Sequence, residues 1–284
     1  MPAPADCTAD ADADYCIAVI SGDFVQRGAP ALLNKYDRTK MALENGIDLV
    51  IELPVITATS SAENFAQGGV CLLNALGVVS QISFGAEANT ASDVDLLGRL
   101  ADFFAFEPPI FQEYLDQALK SGCSFPAARA KAALTCLQQA KHHSMDSQTL
   151  AQFEQLLASP NNILAIEYMK AIRRHNCKLT PSVVTRTGAG YHDADTDTAL
   201  ASASALRKFI FQDTSDQKNN FDTLNQMLTR TVPDSVRELL LTAYESHVFL
   251  QEDDFSDLLY YELQRQLLHP TASDADTTRS DLTQ

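Results

Sequence analysis

The chain is short of positive charge. Its 284 residues hold 21 Lys and Arg against 37 Asp and Glu, a formal net charge of −16. That balance repels nucleic acid unless the few cations gather on one face, and taken alone it argues against an RNA or DNA partner. A C-x-x-C pair is also missing. The six cysteines, Cys7, Cys16, Cys71, Cys123, Cys136 and Cys177, are scattered. Such spacing argues against zinc and against a disulfide framework, and for reduced thiols in a cytoplasmic protein. No apolar run approaches the roughly 20 residues of a membrane-spanning helix, so no membrane partner is expected. The Ala- and Asp-rich "MPAPADCTADADADYC" has no positive n-region, and "CIAVI" is too short for a signal peptide. Internal repeats are absent.

What is present can bury a sizeable core: 45% of the residues are hydrophobic and 20% charged, enough for one large domain or two small ones. Cys16 to Ile20 is short, apolar and β-branched, and it ends at Ser21-Gly22. Asn34 caps a helix that runs to about Asn45 and stops at Gly46. "DLVIELP" reads as a continuous buried strand closed by Pro54. Ser61 or Ala62 opens a helix with Phe65, Gly69, Leu72, Leu73 and Leu76 on one face, and "VVSQISFG" is a third strand. The order β-α-β-α-β implies a parallel sheet with helices on both faces, because parallel neighbours need crossovers. Ligands in such sheets sit beyond the carboxyl ends of the strands, here "SGDFVQRG", "ELP" and "FGAE".

From 91 to about 174 the pattern is helical, ending in "SPNNILAIEYMKAIRR" with Ser159 as N-cap, Pro160 at the first helical position and a stripe of Leu164, Tyr168, Ala171 and Ile172. "SVVTRTGAGYHD" returns to a strand and a glycine loop. "SASALRKFIFQD" starts another helix, and the pattern beyond Asn219 stays helical until the chain turns polar after His269. The expected fold class is α/β, a Rossmann-like parallel sheet with a helical insertion at about 91–174 and a helical C-terminal part. The expected division is 1–212 for the α/β unit and 213–284 for an incomplete helical region.

Several residues could carry chemistry. Ser202 and Ser204 at a helix start, with Arg207 one turn in, would offer hydroxyls, free backbone N–H groups and a guanidinium to a phosphate; the plainer reading is an ordinary N-cap with an exposed arginine. Asn161 and Asn162 could contact a ligand, although asparagines in a first turn usually satisfy backbone donors. Gly188 and Gly190 of "GAGYHD" suit a turn as well as a phosphate loop. Asp193, Asp195 and Asp197 have the beat of a calcium loop, but Thr198 stands where its glycine and Ser204 where its glutamate belong, so no metal is assigned. His142-His143 has no partner at ligand spacing. Tyr191-His192 could be catalytic, yet a loop histidine beside a strand is more often structural. Phe103, Phe104 and Phe106 read as core.

Taken in order, "SGDFVQRGAPALLNKYDRTKMALENGIDLVIELP", "FGAE", "SPNNILAIEYMKAI", "RTGAGYHD" and "SASALR" resemble the bacterial tRNA(Met) cytidine acetate ligase family, of the HIGH-type nucleotidyltransferase superfamily. The resemblance runs from about Tyr15 to at least Phe209. It implies ATP-dependent activation of acetate to acetyl-adenylate, then N4-acetylation of the wobble cytidine of elongator tRNA(Met), with Mg2+ accompanying ATP. Residue by residue it places ATP contacts at Gly85, Asn161 and Arg186, and it makes "SASALR" similar to the superfamily's second phosphate-binding motif. Glycine at a strand end lets a nucleotide approach the backbone closely, an asparagine amide reads base or ribose edges, and an arginine neutralises phosphate oxygens.

The family's first strand, and its loop resembling N-P-F-H-N-G-H, precede "SGDFVQRG"; neither occurs in these 284 residues. Nor does its basic C-terminal stretch. The expectation is a sheet without its first strand, the strand from Cys16 exposing one unpaired edge. Donors like those histidines are worth on the order of a thousandfold in rate. Three functions are therefore weighed: the ligase itself, a catalytically impaired or non-catalytic nucleotide- or RNA-binding homologue, and a small-molecule adenylyltransferase.

Overall fold

The computed structural model describes residues 13–88, 90–139, 147–185, 203–211 and 217–268. Strand β1 (Ile17–Ser21) runs into the polar loop, which makes a 3-10 turn at Gln26–Gly28 and is pinched by a bridge between Phe24 and Pro30. Helix α1 (Lys35–Glu44) starts at Asn34, whose side chain accepts from the Tyr36 and Asp37 N–H groups, and the chain turns out of it at Gly46 with φ +93°. That left-handed conformation is why a glycine stands there. Strand β2 (Leu49–Leu53), the short α2 (Val55–Ala58), α3 (Ala62–Ala75) and β3 (Gln81–Ala86) follow.

The insertion is α4 (Ala91–Ala105), α5 (Ile110–Lys120), α6 (Phe125–Gln139), α7 (Ser147–Ala158) and α8 (Pro160–Arg174). Strand β4 (Thr180–Thr185) comes next, then α9 (Ala203–Ile210), α10 (Gln217–Thr231), α11 (Asp234–Glu245), a 3-10 turn at Glu252–Phe255 and α12 (Ser256–Leu268).

Among the described residues the four strands pair in parallel, as the β-α-β order requires. β1 pairs with β2, Ile17 opposite Leu49, and β3 pairs with β4, Gln81 opposite Thr180. These are two separate two-stranded sheets. Among the described residues β1 pairs with β2 alone. Ile17 and Val19 of β1 nevertheless pack into one apolar cluster with Ile82 and Phe84 of β3, Val70 and Leu73 of α3, and Ala171 and Ile172 of α8. α8 thus serves this cluster and the larger one of the insertion, built on Leu97, Leu100, Phe104, Phe111, Phe153, Ala165 and Ile166. A third cluster joins Leu33, after the polar loop, to Leu224, Leu228, Leu240 and Ala243 of α10 and α11.

Four burial patterns differ from the sequence reading. β2 is only half covered, with Leu49 46% exposed. The buried stripe of α3 is Ala66, Gly69, Val70 and Leu73, while Leu76 is exposed. α8 is buried nearly all round, including Glu167 and Lys170. Its apolar residues predict a one-sided helix, but two cores flank it. Of the phenylalanine trio, Phe104 is core and Phe106 is exposed.

Candidate functional site

The carboxyl end of β3 meets the first turn of α8. Gly85, the second-last residue of β3, lies opposite Val184 and is solvent-exposed. Two residues on, Glu87 reaches across to the α8 turn. Its Oε1 accepts from Asn161 Nδ2 at 2.7 Å, and its Oε2 accepts from Ser159 Oγ. Its backbone N–H donates to Asn162 Oδ1 at 2.8 Å. Ser159 is the N-cap and Pro160 the first helical residue, as read from sequence, but the serine hydroxyl makes no cap bond to the helix and turns to Glu87 instead. Asn162, buried, does what first-turn asparagines usually do and satisfies a backbone donor.

β4 arrives at the same place. Thr185, its last residue, donates from Oγ1 to the Ala88 carbonyl at 2.9 Å. Arg186 is the next residue in the chain and lies outside the described residues, as do Ser202, Gly188, Gly190, Tyr191-His192, the aspartates 193, 195 and 197, and His142-His143. The structure therefore brings Gly85 and Asn161 to one strand end through Glu87. Sequence reasoning passed over Glu87, although it is the last letter of "FGAE". An acidic residue directly past a strand end, facing an asparagine pair in a parallel unit, was the available signal.

The polar loop after β1 forms a second corner. Asp23 Oδ1 accepts from the Lys35 N–H at 2.9 Å, which helps to start α1. Arg38 donates to the carbonyls of Leu33 (3.1 Å), Ser21 (2.9 Å) and Gly22. Lys35 Nζ pairs with Glu52 at 2.8 Å. A Cβ on Gly22 would run into the Glu52 carboxylate, so a side chain there would have to displace it. Arg207 of α9, half-buried, donates weakly from both terminal nitrogens to the Pro30 carbonyl, at 3.4 and 3.5 Å. Ser204 lies in the first turn of α9. Lys35, Arg38 and Arg207 thus all spend donors on the chain itself, which tethers the loop.

A buried ion network crosses the middle of α8. Glu167 Oε1 meets Arg129 Nη1 and its Oε2 meets Lys170 Nζ, each at 2.5 Å, and Lys170 Nζ meets Glu63 Oε1 at 2.7 Å. Arg174 adds a 3.2 Å contact to Glu63. Arg129 also stacks over Phe104, 4.0 Å from the ring centroid. Burial pushes the Glu63 carboxyl up, but the hydrogen bond and charge of Lys170, with Arg129 and Arg174, outweigh it and hold the pKa below its ordinary value. Tyr168, stacked on Phe84 with centroids 5.0 Å apart, has its phenol pushed up to about 12 by burial.

Two open grooves, of about 450 and 370 Å3, lie elsewhere. One is lined by Asp95, Arg99, Asp102 and Arg173, the other by Thr57, Ser60, Asn64 and Gln67. Among the described residues no group of three His, Cys, Asp or Glu side chains gathers to hold a metal ion, and no helix is long and apolar enough to cross a membrane.

Comparison with known proteins supports the resemblance read from the five blocks. The tRNA(Met) cytidine acetate ligase of Clostridium perfringens (strain ATCC 13124) is 46% identical over 209 residues, 73% of this chain and 50% of that protein. That of Thermoanaerobacter sp. (strain X514) is 40% identical over 257 residues, 89% and 58%. The crystal structure of Thermotoga maritima TmcAL bound with alpha-thio ATP matches with a TM-score of 0.70 at 29% identity, over 86% of this chain and 52% of that one. An apo form of the same protein gives 0.73 at 30%. The chain spans about half the length of the curated relatives it matches. A family model described as HIGH Nucleotidyl Transferase matches residues 6–275, and the chain belongs to that family.

Proposed function

We propose that the chain is the nucleotide-handling part of a tRNA(Met) cytidine acetate ligase. It would bind ATP and acetate, form acetyl-adenylate, and serve acetylation of N4 of the wobble cytidine in elongator tRNA(Met). The observation that carries this reading is the meeting of "FGAE" and "SPNN" at the end of β3, held by the Glu87–Asn161 contact at 2.7 Å. That is where a parallel α/β unit receives a ligand. Gly85, Asn161 and Arg186 are the proposed ATP contacts, with Ser202, Ser204 and Arg207 a second phosphate-binding group. Arg207 would have to exchange its long contacts to Pro30 for phosphate oxygens. Mg2+ would enter on the triphosphate, since it keeps several waters and commonly binds through substrate phosphates. The division proposed is 1–212 for this unit and 213–284 for a helical region that helps to carry tRNA, in the cytoplasm.

A second reading, a small-molecule adenylyltransferase, draws on the net charge of −16 and on the engagement of Lys35, Arg38 and Arg207 within the chain. Pyrophosphate release from ATP and acetate, followed by acetyl transfer to tRNA, tests both. The 284-residue polypeptide is expected to bind ATP weakly and to release no measurable pyrophosphate, because no stretch resembling N-P-F-H-N-G-H occurs in these residues to supply donors to the α-phosphate. The same polypeptide preceded by a segment bearing that motif is expected to release it. Equal release by both would move the catalytic donors to the second phosphate-binding group. Release by the extended form with other carboxylic acids in place of acetate, without tRNA, would favour the second reading.

A further inference from the structure

Glu87 sits half-buried where β3 runs out, and its backbone N–H and both carboxylate oxygens are engaged with the start of α8. Such a concentration of contacts across more than seventy residues of sequence needs a reason beyond holding a strand to a helix. The backbone bond to Asn162 does that alone.

The carboxylate does something different. An asparagine amide is nearly symmetric in shape but not in chemistry, since one end donates and the other accepts. Which end faces a ligand decides what the residue reads. An ionised carboxylate only accepts, so Asn161 must turn its NH2 group to Glu87. Ser159 satisfies the other carboxylate oxygen, which keeps the carboxylate from swinging away.

We propose that Glu87 is a positioning residue for nucleotide selection: it fixes the donor–acceptor order of the Asn161 amide, and through it the preference for ATP over nucleotides that differ at the base or ribose edge. The proposal rests on the reading that Asn161 contacts ATP. Replacing Glu87 by glutamine separates hydrogen-bond fixing from charge. A glutamine carbonyl still accepts from Asn161, and its NH2 donates to the Ser159 hydroxyl, which accepts as readily as it donates. Alanine removes both contacts and leaves the backbone bond to Asn162 in place.

The experiment uses the 15N-labelled 284-residue chain and its Glu87→Gln and Glu87→Ala variants. The Asn161 side-chain NH2 signals are assigned by their loss in Asn161→Asp. They are expected to stand apart from those of exposed asparagines in the unsubstituted chain and in Glu87→Gln, and to collapse onto them in Glu87→Ala. Titration of each with ATP, GTP and 2′-deoxy-ATP, followed by the same spectra so that millimolar binding is visible, reads the selection. ATP preference over at least one competitor is expected to fall roughly tenfold in Glu87→Ala, the size of one lost oriented hydrogen bond, and to stay within about threefold in Glu87→Gln. A purely structural role would lower all three affinities together. Unmoved Asn161 signals in Glu87→Ala, a Glu87→Gln variant that behaves like alanine, or an unchanged preference would each overturn the proposal. If the unsubstituted chain binds none of the three, the ATP reading itself fails. If it binds ATP and only the preference is unmoved, the failure belongs to Glu87 alone.

Discussion

The first turn of α8 and its middle both hold a carboxylate against donors brought from elsewhere in the chain, yet they do so under different conditions. At the first turn, Glu87 is half-buried and its side chain is matched by neutral groups, an amide and a hydroxyl. In the middle, Glu167 and Lys170 are 1% and 3% exposed, and every contact is between full charges. A charge taken out of water must be matched by an opposite charge, and side chains buried to this degree are closed to a ligand. A carboxylate that keeps part of its hydration can be matched by neutral groups and still stand beside an accessible strand end. The difference separates the part of α8 that holds the fold from the part that is available for chemistry.

The sharpest way to break that comparison is Glu167→Ala, which leaves Arg129 without its buried partner. A loss of about 3–5 kcal/mol in denaturant unfolding is expected; a loss near that of a surface pair would place the network in water. Next comes Tyr168→Phe. The folded-state pKa of Tyr168 is raised from 10.0 to about 12, so its contribution is fully present below pH 10 and is lost as the pH rises through about 12. Phenylalanine keeps the stacking on Phe84 and has no proton to lose. The variant should flatten the alkaline limb of stability by on the order of 2 kcal/mol near pH 12.

Ser159→Ala, at the half-buried end, should cost only about 1 kcal/mol, because water can replace the hydroxyl at Glu87. A cost as large as that of Glu167→Ala would erase the distinction between the two ends. The smallest effect is expected from Glu63→Gln. Glu63 is held below the ordinary glutamate value of 4.5, so its contribution is present above that value and lost as the pH falls through its lower folded value. The variant should have a shallower acid limb below pH 4.5 in thermal melts, softened by solvent because nearly half of the side chain is exposed.

Legibility in the sequence followed the range of the forces involved. The caps at Asn34, Ser61 and Ser159, the turn at Gly46 and the parallel order of strands are local or topological, and they stood in the residues. The fate of each polar group did not. Ser159 was readable as an N-cap, but its hydroxyl leaves the helix for a carboxylate 72 residues away. Arg207 was readable as a cation one turn into a helix, but its donors meet the Pro30 carbonyl. The α8 stripe marked one apolar face, while the helix lies between two cores that bury Glu167 and Lys170 as well.

The sequence by itself determined the alternation of strands and helices, and the five ordered blocks by which the family was recognised, because propensity, capping and hydrophobic period act over a few residues. The tertiary structure alone decided that Glu87 orients Asn161, that β1 and β3 share a cluster without sharing hydrogen bonds, and that the charges of α8 pair inside the protein. Each depends on a partner that folding brings from far along the chain, because a hydrogen bond needs its partner within about 3 Å and the attraction of an ion pair fades with distance.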